Sequence, residues 1–147
     1  MLIALLEWHM RDIKMNKISK FVIIDHEAKR ARYHQDLRFI KPNGKLWDSF
    51  AVRKGVPLDP GVKVLAVKTR DHSEKDALFV GVLKKGYGAG EFTKFDDGEC
   101  IIEKYKNSHM VILLKGKKIK GRYHLISTGV IDKDYKKPTY MLFKSKI

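Results

Sequence analysis

The chain predicts an all-β fold: a closed or nearly closed β-barrel of roughly eight to ten short strands, with residues 1–20 as a short N-terminal helix or extension. Three observations predict it. Short apolar or alternating runs recur from Phe21 to Phe143. Clusters of Pro, Gly and Asn separate them. No internal repeat, low-complexity segment or long linker interrupts the series, so residues 1–147 read as one domain.

In order, Met1 to Met15 can form a short helix with Leu2, Leu5, Leu6 and His9 on one side. Phe21 to Ile24 is an apolar run of the buried-strand kind and ends at Asp25-His26. His34 to Phe39 alternates and is reversed by Lys41-Pro42-Asn43-Gly44 into a return strand, Leu46 to Val52, anchored by Trp47 and Phe50. Arg53 to Gly61 is a stiff loop, because Pro57 and Pro60 forbid regular pairing. Val62 to Thr69 alternates apolar and basic residues and leads into the polar loop Arg70-Asp71-His72-Ser73. Leu78 to Leu83 reads as an apolar strand, followed by a glycine-rich connection, Lys84 to Gly90. Phe92 to Phe95 and Cys100 to Tyr105 read as a hairpin turning at Asp96-Asp97-Gly98. Met110 to Lys115, Tyr123 to Ser127 and Tyr140 to Phe143 complete the set.

The charge balance is 31 Lys+Arg against 17 Asp+Glu, a net +14 spread along the whole chain. Such a surface suits a polyanion, nucleic acid before an anionic membrane. A single cysteine, Cys100, excludes an internal disulfide and a cysteine-rich zinc site, and fits a reducing compartment. With no leader pattern and no apolar stretch near the length of a membrane helix, the expected location is the cytoplasm, away from membranes.

The chemistry gathers in Phe21 to Phe39. In a strand, His34, Asp36 and Arg38 share one face at a spacing of about 6.6 to 6.8 Å, with Leu37 and Phe39 turned to the core. An imidazole and a carboxylate on one face can share a metal, and His26 supplies a second imidazole close in sequence. Two histidines and a carboxylate suit Mn, Fe or Zn. The guanidinium of Arg38 can hold an anion, and Lys54 in the proline loop is a phosphate-contact candidate. An alternating charged face is also what the wet side of any sheet looks like.

Several short segments then fall in a recognisable order: Arg11-Asp12, FVIIDHEA from Phe21, His34-Gln35-Asp36-Leu37-Arg38, SFAVRKGVPLDP from Ser49, LAVKTRDH from Leu65, GYGAG from Gly86 and LKGKKIKGRYHLI from Leu114. In this the chain resembles the 3′-phosphoesterase domain of bacterial DNA ligase D and its stand-alone archaeal relatives, from about Arg11 to about Thr128. The resemblance implies a β-barrel with a crescent-shaped groove. It implies manganese-dependent trimming of a 3′-terminal ribonucleotide from DNA, then removal of the resulting 3′-phosphate to give a 3′-hydroxyl in end joining. Mn2+ is the implied ion, with Co2+ or Zn2+ as substitutes. The metal ligands fall on His26, His34 and Asp36. Arg38 and His72 fall on the phosphate-binding and catalytic positions, and Arg11 and Asp12 on the N-terminal pair the family requires. The implied partners are DNA 3′ ends or primer–templates, and a separate ligase and polymerase.

The chain departs from that pattern in places. Seven residues lie between His26 and His34, where the family has five. The family's tyrosine after the second-loop histidine is Asp76 here, and its arginine before that histidine is Val64, beside Lys63. No glutamate follows Arg11-Asp12 at the usual distance. Two other functions fit the residues: a non-catalytic basic barrel binding single-stranded nucleic acid, and a barrel oxygenase with Fe(II) on the same triad. The high positive charge counts against the oxygenase, whose small substrate does not call for it.

Overall fold

The computed structural model describes residues 16–29, 32–86 and 88–146. The expected N-terminal helix, with Arg11 and Asp12, lies outside the described residues. Nine strands are described: β1 (Lys17–Ala28), β2 (Arg32–Ile40), β3 (Trp47–Val52), β4 (Lys63–Lys68), β5 (Gly81–Leu83), β6 (Gly90–Lys106), β7 (His109–Lys115), β8 (Lys120–Ile131) and β9 (Pro138–Lys144). A single short helix, α1 (Glu74–Ala77), precedes β5 among the described residues. All pairings are antiparallel. Eight strands run β1-β2-β3-β4-β9-β8-β7-β6, and β6 pairs back onto β1 to close the barrel. β5 is the extra strand, hydrogen-bonded to the start of β6.

Alternation decides which side chains fill the ring. Phe21 and Ile23 of β1 and Leu37 and Phe39 of β2 point inward, with Phe50, Ile102, Ile112, Tyr123, Leu125 and Leu142. Each such side chain, wholly removed from water, contributes about 1.5 to 3 kcal/mol. The buried Tyr123 hydroxyl donates to the Pro57 carbonyl at 2.6 Å and ties the proline loop to the barrel. Val22 and Ile24 face the other way, into a smaller cluster with Trp47, Ala77 and Phe92 on the outer wall.

Two segments differ from the expected elements. Leu78 to Leu83 is not a strand throughout. Ser73 caps α1, its hydroxyl accepting from the Asp76 amide at 3.3 Å, and Leu78 closes the helix, so extended pairing begins only at Gly81. Ser73, followed by the helix formers Glu74, Lys75 and Ala77, is the local signal for that cap.

Asp96-Asp97-Gly98 is not a turn either; β6 runs straight through it. The Asp96 carboxylate accepts from the amides of Asp97, Lys117, Lys118 and Ile119 at 2.8 to 3.0 Å, which fixes the β7–β8 connection against β6. At Gly98 a Cβ would collide with the Lys115 carbonyl, so the glycine serves close strand approach. The register with β1 slips between Ile23 and Ile24, where Phe95 is the extra residue of a bulge.

Burial alone would raise the Asp96 pKa, but the donated amides outweigh it and hold the carboxylate below its usual range. Its stabilising effect is therefore present at neutral pH and fades as pH falls below the ordinary carboxylate range. Asp96→Asn should cost about 3 kcal/mol at pH 7 in urea unfolding. The variant should also show a flatter loss of stability toward acid than the parent.

Candidate active site on the outer barrel wall

The β1–β2 hairpin builds the centre. His26 lies directly opposite His34, Ile24 opposite Asp36, and Val22 opposite Arg38. On the other side of β2, Asp36 opposes Ala51 and Arg38 opposes Ser49. Cross-strand partners project to the same face, so His26, His34, Asp36 and Arg38 share one outer patch. This also explains why the longer spacing is tolerated: two additional residues preserve side-chain parity, whereas one would turn His26 to the other face.

All four residues are buried, none more than 6% exposed. His26 Nδ1 lies 3.2 Å from His34 Nε2 and 3.6 Å from Asp36 Oδ2, and His34 Nε2 lies 3.1 Å from Asp36 Oδ1. The opposite ring nitrogens face carbonyls: His26 Nε2 is 3.0 Å from Gly88 O, and His34 Nδ1 is 3.3 Å from Arg32 O. A carbonyl can only accept, so those nitrogens carry the protons. The inward nitrogens are aimed at each other and at a carboxylate, so a proton or a cation must lie between them. Such a convergence suits a cation, and carbonyl-anchored imidazoles are the usual outer support of a metal site. Among the described residues this triad can offer three ligand atoms within 4.8 Å of one another. Burial works against the Asp36 charge, yet the two imidazoles and Arg38 keep its pKa well below the usual range.

Arg38 is more constrained than a free anion hook. Its Nε donates to Ser49 Oγ at 3.1 Å, Nη1 to the Ala77 and Asp76 carbonyls at 2.9 and 3.3 Å, and Nη2 to Asp36 Oδ2 at 3.2 Å. One Nη2 hydrogen is left for a ligand. The guanidinium thus fastens α1 to β2.

His72 sits on the same cavity, of about 690 Å³, as His26, His34, Asp36 and Arg38. Its backbone pairs with Trp47 in both directions, at 2.8 and 3.0 Å. The preceding Asp71 is held by Lys41 at 2.7 Å and Lys68 at 3.0 Å. The His72 Nδ1 is buried with no hydrogen-bond partner among the described residues. Burial, then the charges of Arg38 and Arg70, push the His72 pKa down to about 4, so the imidazole is neutral at neutral pH.

Of the other expected residues, Lys54 is exposed and is not among those lining the cavity. Val64 packs into the barrel interior, so that position offers the cavity no cation. Asp76 does line it.

Sequence reasoning missed Arg70, Phe79, Phe92 and Lys137, which also line the cavity. Phe92 stacks on the His26 ring with centroids 3.8 Å apart. Lys137 is delivered by the loop after β8, which Arg53 clamps through Asp132 at 2.9 and 3.1 Å and by lying over the Tyr135 ring. Only Arg70, adjacent to the Asp71-His72 pair, carried a local hint.

Fold and centre together define an antiparallel β-barrel with two imidazoles, a carboxylate and a guanidinium clustered on a cavity of its outer wall. A sequence profile of the DNA Ligase D 3′-phosphoesterase domain matches residues 24–127. The "Multifunctional non-homologous end joining protein LigD" of Mycolicibacterium smegmatis is 39% identical over 127 residues, covering 78% of this chain and 16% of its own length. The protein of the same name from Pseudomonas aeruginosa is 38% identical over 117 residues, covering 76% of this chain and 14% of its own length. The chain belongs to the DNA ligase D 3′-phosphoesterase domain family. It spans about a seventh of the length of these relatives. No helix among the described residues is long and apolar enough to cross a membrane.

Proposed function

We propose that this protein is a divalent-metal-dependent phosphoesterase that processes DNA 3′ ends. It trims a terminal ribonucleotide and then removes the remaining 3′-phosphate to leave a hydroxyl. The observation that supports this above all is the convergence of two inward-facing imidazole nitrogens and an ionised carboxylate beside a buried guanidinium. The donor set suits Mn2+, with Co2+ or Zn2+ as substitutes, held by His26, His34 and Asp36. Such an ion, when bound, polarises a phosphate oxygen and acidifies water.

The chain's own groups do the rest. Asp36 stays ionised. Arg38 offers its remaining Nη2 hydrogen to a phosphate oxygen, and Arg70 and Lys137 add positive charge at the rim. His72 arrives neutral and takes up a proton only as the phosphate's charge offsets Arg38 and Arg70, which places a proton donor beside the leaving oxygen. Arg11 and Asp12 are proposed to join this site. A separate ligase and polymerase would use the processed end.

The test is a DNA primer–template ending in one ribonucleotide, with and without Mn2+. Loss of the terminal residue should require Mn2+, stop in EDTA and resume when Mn2+ is restored in excess. Retarded migration of the DNA without any product would instead make this a binding barrel.

A further inference from the structure

We propose that the wall of the cavity formed by Phe79 is a nucleobase subsite, receiving the base of the nucleotide that carries the reacting 3′ phosphate. This rests on the phosphoesterase reading and adds to it what the enzyme recognises beyond phosphate. The cavity lining is of two kinds: the cations Arg70 and Lys137 with the imidazole of His72, and the apolar side chains Phe79, Leu83 and Phe92. A nucleotide brings an anion and an apolar aromatic face in one molecule and so matches both, whereas a protein segment docked on the apolar side chains would leave the cations unanswered. The volume of about 690 Å³ is that of a small-ligand pocket.

Phe79 is 38% exposed despite its size. It meets Phe92 edge-to-face, with centroids 5.4 Å apart at 73°. Phe92 in turn lies flat on His26. The ring is therefore braced from one side and two ring contacts from the metal-ligand set. A braced aromatic ring with open area beside phosphate-binding cations is the arrangement on which bases stack, without regard to sequence.

The experiment uses the full chain with Mn2+ and strands ending in a 3′-phosphate on either thymidine or an abasic tetrahydrofuran residue. The parent protein should lose on the order of ten-fold in kcat/KM on the abasic end, mostly through KM. Phe79→Ala should lose a similar factor on the thymidine end and little on the abasic end, and Phe79→Tyr should behave as the parent. A terminal 2-aminopurine, bound in EDTA, should be quenched by the parent and not by Phe79→Ala. Equal losses on both ends, or unchanged quenching in Phe79→Ala, would overturn the subsite. Should Phe79→Ala fail to fold, Phe79→Leu, which keeps bulk without an aromatic face, carries the same comparisons. If no strand is turned over by the parent, the phosphoesterase reading falls, and the quenching result alone decides the subsite.

Discussion

His34→Ala is expected to abolish end processing while leaving the barrel folded. The imidazole supplies one of two inward-facing nitrogens in the cluster, held 3.1 Å from Asp36 and oriented by the Arg32 carbonyl. Losing a residue that merely supports a metal ligand costs about 10- to 100-fold in affinity or activity. Losing a ligand should exceed the upper end of that range. The packing consequence is small, because the ring contributes to the outer wall and not to the barrel interior. The measurement pairs Mn2+-dependent turnover of a ribonucleotide-ended primer with a thermal unfolding midpoint. Activity within ten-fold of the parent, in a folded variant, would show that His34 is not a ligand.

Arg38→Met should produce the largest loss of stability, about 3 to 5 kcal/mol by urea unfolding in the absence of added metal. Arg38 is 5% exposed, and its guanidinium joins Ser49, two carbonyls at the end of α1, and Asp36. Methionine matches its length but leaves the Asp36 charge buried without its cationic neighbour and frees the carbonyls of Asp76 and Ala77. Arg38→Lys retains the charge, yet an ammonium cannot span all of these acceptors at once, so it should recover only part of the loss. A loss below 1 kcal/mol for Arg38→Met would mean that the contacts seen at this residue carry little energy.

Much of the centre was legible from local pattern. Period-two alternation put His34, Asp36 and Arg38 on one face and Leu37 and Phe39 on the other, and the barrel keeps that division. His26 needed more, since its distance to His34 depends on hairpin register, which the count of intervening residues settles only once both strands are known to pair. Where tertiary contacts outbid local preference, the reading failed. Asp96-Asp97-Gly98 has turn chemistry, but the Asp96 carboxylate is occupied by amides more than twenty residues further along. Arg38 could be assigned a face, but not its saturation by carbonyls 38 and 39 residues downstream. Phe79 and Phe92 lie in runs that read only as strands, and Lys137 in a segment with no motif, so nothing local marked them for the cavity.

The strand that carries His26 is also the one that seals the ring, bonded to β2 on one edge and β6 on the other. The loss of freedom needed to gather His26, His34 and Asp36 is therefore incurred during folding, by every contact around the circumference. An ion arriving there would meet a preassembled claw and have little left to organise. Its departure, by the same token, would not loosen the chain that had held it.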